Sequence, residues 1–330
     1  MASNKNRLGI RRGMVALSLV GLSGCMEYTI ETTLNPDGSG HRAVNVEVTD
    51  AHRLTEGVSR QEFVDLWSFS EEKGWDHHVE LQNNGDTTNV FTRETRIDDL
   101  SSWSRLNDEL HIHGTRPFTA DSTIGHVTLG DVHFRNRVRV RSSGGTDGSV
   151  AFSYQESFTW ENGLDAFIEG ILMEMERSVQ RSYPDLSDRD RGEIIGAARA
   201  GLWSAVEEGV LDTSSEEEDR LWNQALDRIT TSSIKIVRAK NPNASEEALR
   251  KRLDLFSDDF EGGDPTERLD YLLPGMSQAG GEVIFRLTMP GRVTTTNAHE
   301  REGNILIWEF NTDDALSAPV VLVAESVVGG

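Results

Sequence analysis

The side-chain period changes twice along this chain, and those two changes constrain its fold more than any single motif. From Tyr28 to Trp160 apolar residues recur at every second position, from Leu164 to Phe256 they recur at helical spacing, and after Gly280 the two-residue alternation returns. Alternation by two puts one face of a strand on a core, and spacing by three and four puts one stripe of a helix there. The strands after Gly280 are too few to bury a face alone, so they are expected to pair with strands before Trp160. The expected architecture is α+β. Residues 25–160 plus 278–330 should form a mostly antiparallel sheet with packed helices, interrupted by a helical insertion at 163–275.

Within the first block, Tyr28, Ile30, Thr32 and Leu34 alternate with Glu27, Thr29, Glu31 and Thr33. Asn35-Pro36-Asp37-Gly38-Ser39-Gly40 has turn chemistry, and Val44, Val46 and Val48 then alternate with Asn45 and Glu47, which predicts a hairpin. Ser59 and Glu62 have capping-box spacing ahead of Phe63, Leu66 and Trp67, which predicts a helix ending near Gly74. Further strands are expected at 77–82, 87–97, 126–129, 131–142 and 149–160, with a short helix around 100–106. In the second block Leu164, Phe167, Ile168, Ile171, Leu172, Met175 and Val179 form one helical stripe. Ser187 with Asp190, and Ser214 with Glu217, have the spacing of caps for two more helices, and Asn241-Pro242-Asn243 precedes a shorter one at 244–256. Trp203 and Trp222 lie in apolar stripes and read as core between helices. The last strands are expected at 283–289, 305–310 and 320–324.

The N-terminus speaks to location. Lys5, Arg7, Arg11 and Arg12 precede an apolar run from Met14 to Leu22, too short to stay in a bilayer as a spanning helix. Leu22-Ser23-Gly24-Cys25 follows, and it resembles the lipobox of bacterial lipoproteins. That resemblance implies removal of residues 1–24 as a signal peptide and acylation of Cys25, with palmitate as one of the chains. Met26 stands where some two-membrane bacteria place a retention aspartate, which points to the outer membrane in such a host. Loss of residues 1–24, which hold four basic and no acidic residues, takes the formal charge from −22 to −26. So acidic a protein has no basic footprint for nucleic acid or anionic lipid, and the acyl chains are its expected hold on the membrane. With Cys25 used for the anchor, no cysteine remains for a disulfide, a thiol nucleophile or a thiolate metal site.

The run Met289-Pro290-Gly291-Arg292-Val293, then Asn297-Ala298 and Asn304-Ile305-Leu306-Ile307-Trp308, resembles the ending of envelope lipoproteins of the LppM-like type. Those proteins also begin with a lipidated cysteine and a strand, Asp-Gly turn, strand unit. The resemblance covers 25–48 and 281–326 and leaves the helical block outside it. It implies an extracytoplasmic α+β domain with a lipid or glycolipid ligand and no established catalysis.

Two constellations carry chemistry. Arg135, Arg137, Arg139 and Arg141 occupy alternate positions, so a strand there puts four guanidinium groups on one face and Val132, Phe134, Val138 and Val140 on the other. Guanidinium forks suit phosphate and carboxylate, which makes the row a candidate anion site. Cross-strand ion pairing with Glu27, Glu31 or Glu47 is the structural alternative, and the one the sequence favours. His111 and His113 share a face if they lie on a strand, a geometry that can grip zinc with a third ligand such as His133 or a nearby carboxylate, whereas His77 and His78 point apart. There is no Gly-x-Ser-x-Gly elbow or phosphate-cradling glycine loop, and no cofactor is implied. The expected function is therefore that of a lipid-anchored, non-catalytic envelope protein presenting a protein- or lipid-contact surface. A metal-assisted hydrolase of envelope material built on His111 and His113 is the alternative.

Overall fold

The computed structural model describes residues 25–50, 69–81, 87–113, 119–122, 125–128, 132–211, 215–254 and 281–329. These fall into two compact units, one of strands (22–118, 129–166 and 273–330) and one made largely of helices (119–128 and 167–272, with 1–21). The fold class is α+β, and its sheets are mostly antiparallel.

In the strand unit, β1 (Cys25–Leu34) and β2 (Gly40–Asp50) form the expected hairpin. β3 (Asp76–Leu81) and β4 (Thr87–Ile97) pair with each other, and β4 also pairs with β2. A two-residue strand β5 (Ile112–His113) precedes the ribbon of β6 (Thr119–Ser122) and β7 (Gly125–Thr128), which belongs to the other unit. Next come the long hairpin of β8 (His133–Gly144) and β9 (Val150–Glu161), and after the helices β10 (Glu282–Thr288), β11 (Arg292–Thr296), β12 (Glu300–Glu302), β13 (Ile305–Asn311) and β14 (Val320–Val328). The seven-stranded sheet runs β12-β13-β10-β1-β2-β4-β3 and the five-stranded sheet β11-β14-β9-β8-β5. β1 and β10 are parallel, and the other pairings are antiparallel.

One sheet was expected, and among the described residues the strand unit has two. Alternation says that each strand buries one face but not against what, and here the two inner faces bury each other. Phe158 of β9 stands 6.3 Å from Phe285 of β10 and 5.0 Å from Phe310 of β13, and Tyr154 lies 6.3 Å from Phe285 (ring centroids). The final strands divide between the sheets, β10, β12 and β13 joining one and β11 and β14 the other. Three tryptophans fasten the margins through their indole N–H groups, each at 3.0 Å: Trp103 donates to the Gly38 carbonyl, Trp160 to the Thr312 carbonyl and Trp308 to Asn297 Oδ1.

The same turn closes both long hairpins. Asp37 Oδ1 accepts from the Ser39 N–H at 2.9 Å, Asp147 Oδ1 accepts from the Ser149 N–H at 3.0 Å, and Gly38 and Gly148 take the left-handed φ (84° and 82°). The short helix is a 3-10 turn at Leu100–Leu106, capped by Asp99, whose Oδ1 accepts from the Ser102 N–H at 3.0 Å. Of the helix predicted to end near Gly74, residues 51–68 lie outside the described residues. What is described is a 3-10 turn, Glu71–Lys73, stopped by Gly74 at φ 81°.

The helical block contains α1 (Gly163–Ser182), α2 (Asp188–Glu207), α3 (Ser215–Lys240) and α4 (Glu246–Leu253). Ser187 and Asp190 form the capping box that their spacing predicts, whereas Ser214 lies outside the described residues. α2 and α3 meet at Gly201, where a methyl group would come within 2.5 Å of Ile229 Cγ1. Trp222 is buried as expected, and Trp203 is half-buried. At the exposed margin the Arg228 guanidinium holds both oxygens of Glu208, at 2.8 and 3.1 Å.

Candidate functional site

The chemistry-bearing residues that are brought together lie on the two faces of the β8–β9 hairpin. Strand parity sorts them: Phe134, Asn136 and Val138 turn inward with Tyr154, Glu156 and Phe158, while Arg135, Arg137, Arg139 and Arg141 turn outward with Ser153, Gln155, Ser157 and Thr159.

The outward row does not behave as one unit. Arg135 is held by Asp108 through two bonds, Nε to Oδ1 at 2.7 Å and Nη2 to Oδ2 at 2.9 Å, and its Nη1 donates to Glu161 Oε2 at 2.7 Å. Hydrogen bonds from Arg135 hold both carboxyls below the usual carboxylate range. Asp108 reaches this place by adopting a left-handed φ of 60°, which aspartate tolerates better than most residues. Arg137, Arg139 and Arg141 are exposed; the charge of Arg137 helps hold the Asp108 and Glu161 carboxyls down, while Arg139 and Arg141 form no ion pair among the described residues. Directly across β9 they face Ser157, Gln155 and Ser153.

The expected partners are therefore wrong. Glu27, Glu31 and Glu47 belong to the seven-stranded sheet, where Glu31 lies 3.6 Å from Arg286 and Glu27 is flanked in register by Glu47 and Glu282. Parity made them outward residues of a strand, but it says nothing about which sheet a strand joins. The strand carrying the arginines lies in the other sheet.

The inward face holds a cluster that the sequence analysis missed. Arg42 of β2 and Glu156 of β9, both fully buried, join the two sheets by a fork, with Nη1 to Oε2 at 2.8 Å and Nη2 to Oε1 at 3.0 Å. Arg42 Nε lies 2.7 Å from Glu109 Oε2, and Glu109 Oε1 accepts from Thr95 Oγ1 at 3.2 Å with Arg93 Nε 3.6 Å away. Asn136 Nδ2 donates to Glu156 Oε1 at 2.7 Å and to the Leu106 carbonyl at 3.0 Å, its Oδ1 accepts from the Leu110 N–H at 3.1 Å, and the Tyr154 hydroxyl donates to Glu156 Oε2. Burial alone disfavours a charged guanidinium, but Glu156 and Glu109 outweigh it and keep Arg42 ionised. Burial, reinforced by Glu156, pushes the Tyr154 hydroxyl well above its usual value. Two arginines and two glutamates balance in charge, and both Glu156 oxygens are engaged inside the core. Such an arrangement clamps sheet to sheet and offers no group to a substrate. A sequence clue existed: Arg42, Asn136 and Glu156 occupy the apolar parity of their strands.

The histidines divide differently from expectation. β5 contains Ile112 and His113 only, so His111 precedes it. His111 Nε2 and His133 Nδ1 share a hydrogen bond at 3.0 Å. The side chain of His113 lies outside what is described, and among the described residues no three His, Cys, Asp or Glu side chains converge as a metal site. His77 stacks on Phe91 at 4.5 Å and bonds Asn89 Oδ1 at 3.0 Å, which gives it a structural place on β3. Cys25 is the first residue of β1, in register with Thr49. No helix among the described residues is long and apolar enough to cross a membrane.

No protein-family profile matches the chain, and no curated protein does. Among solved structures, the NMR structure of the folded domain of Mycobacterium tuberculosis LppM aligns over 91% of this chain and 88% of its own length, at 7% identity and a TM-score of 0.25. An alignment that loose does not establish a shared fold.

Proposed function

We propose that this chain is a lipid-anchored cell-envelope protein without catalysis of its own, which uses the outer face of the β8–β9 hairpin to hold an anionic partner. The observation that carries the contact surface is the row of Arg137, Arg139 and Arg141, exposed on one sheet face, of which Arg139 and Arg141 have no ion pair among the described residues, in a chain of formal charge −22. Guanidinium groups side by side repel one another, and Arg139 and Arg141 have no ion pair among the described residues to offset this, so a ligand is the economical account of them. The anchor rests on the lipobox Leu22-Ser23-Gly24-Cys25.

Metabolic labelling with a palmitate analogue tests the anchor. Wild-type protein should take up label and fractionate with membranes, and Cys25→Ser should do neither. Equal label on both proteins ends the lipoprotein reading.

A further inference from the structure

Among the described residues, the strand that carries the arginine row has an open edge. β5 pairs with β8 only at His133 and Phe134, and beyond these no strand among the described residues lies along that side. Two contacts occupy the next positions: the Asn136 carbonyl accepts from the Asp108 N–H at 3.0 Å, and the Val138 N–H donates to Asn107 Oδ1 at 2.7 Å. Even-numbered residues of β8 thus turn their backbone groups to this side, and by the alternation of an antiparallel ladder Val140 and Ser142 do the same. From the Val138 carbonyl to Gly144 a run of about 20 Å is left without a ladder partner among the described residues.

We propose that this edge receives an acidic extended segment of a partner protein as an added strand, with carboxylates at alternate positions set against Arg139 and Arg141. The register follows from the ladder. The arginines are the residues whose own N–H and C=O groups bond into β9, so on the open side they occupy the non-hydrogen-bonded positions, where facing side chains come closest. Their spacing along the strand, roughly 6.8 Å, is the spacing of alternate side chains on any added strand. Backbone pairing at Val140 and Ser142 supplies affinity, and the arginines select for acid. A second copy of this chain is disfavoured at the same edge, because arginine would face arginine. The proposal rests on the contact-surface reading above but not on the anchor.

The probe is a fluorescein-labelled peptide of alternating glutamate and threonine, titrated by anisotropy against the full-length chain in detergent. Saturable binding is expected, weakened about tenfold or more by Arg139→Glu with Arg141→Glu and weakened again by added salt. A peptide of equal charge with every second backbone amide methylated should lose binding, as should Val140→Pro, which removes an edge N–H without touching the β9 side. The methylated peptide needs no variant to fold. Cys25→Ser protein should bind as wild type does, which separates this test from the anchor's. Equal binding of parent and methylated peptides overturns strand addition while leaving an anionic contact surface. Absence of peptide binding, including where anionic phospholipid vesicles bind instead, overturns the proposal.

Discussion

At the residue scale, buried charge decides what this protein tolerates. Removing one member of the Arg42 cluster strands the others, so Glu156→Ala should cost about 3 to 5 kcal/mol in urea denaturation. Replacing the set with apolar or neutral groups of similar size, Arg42→Met with Glu156→Leu and Glu109→Gln, should recover most of that loss. A triple variant no more stable than Glu156→Ala would show that the charges add stability beyond one another's compensation. Asp313 offers a pH test. Burial, with the charge of Asp314 adding to it, pushes its carboxyl up to about 7 from an ordinary value of 3.8. Between these values the folded chain holds a proton that the unfolded chain has released, so this group's contribution is fully present below about pH 4 and falls as pH rises to 7. Asp313→Asn should remove that fall. The difference in urea midpoint between variant and wild type should therefore grow from pH 5 to pH 8, and a constant difference would contradict the assignment.

At the scale of elements, local chemistry was legible and long-range choice was not. The capping box at Ser187, the turn at Asp37-Gly38-Ser39 and the strand at Thr87–Ile97 each follow from neighbours in sequence. Which strand lies beside which does not: nothing in alternation sends β10 parallel to β1 or β14 to β9. The short strands β5 and β12, of two and three residues, hold too few side chains for any period to show. The candidate site shares this split. The arginine row was visible as a pattern, but its loneliness depended on sheet membership, and Asp108 reaches Arg135 from a turn with no motif of its own. The β1–β2 hairpin gives an element-scale prediction. A methyl group on Gly40 would sit 2.5 Å from both the Thr33 carbonyl oxygen and Trp103 Cζ2. Gly40→Ala should push the Trp103 ring from its bond to Gly38 and cost about 1 to 3 kcal/mol, whereas Gly144→Ala, with nothing within 4 Å, should cost far less in the same denaturation series.

At the scale of the whole molecule, the chain leaves the strand unit after Ala166 and returns to it at Leu273. Both sheets draw strands from either side of that excursion: β1 pairs with β10, and β9 with β14. The aromatic contacts of Tyr154 and Phe158 with Phe285 and Phe310 between the sheets are made within the strand unit. A unit with inter-sheet contacts of its own should survive replacement of residues 167–272 by a short Gly/Ser bridge, because loop entropy changes only with the logarithm of length. Three built-in reporters stay behind. Trp103, Trp160 and Trp308 each donate an indole N–H to a partner within the strand unit, while Trp203 and Trp222 leave with the helices. Five of the seven indoles are retained, and in proton–nitrogen NMR spectra of the shortened and full-length proteins the resonances of Trp103, Trp160 and Trp308 should coincide. Indole peaks collapsed to the positions of free tryptophan would show that the strand unit needs the helices in order to fold.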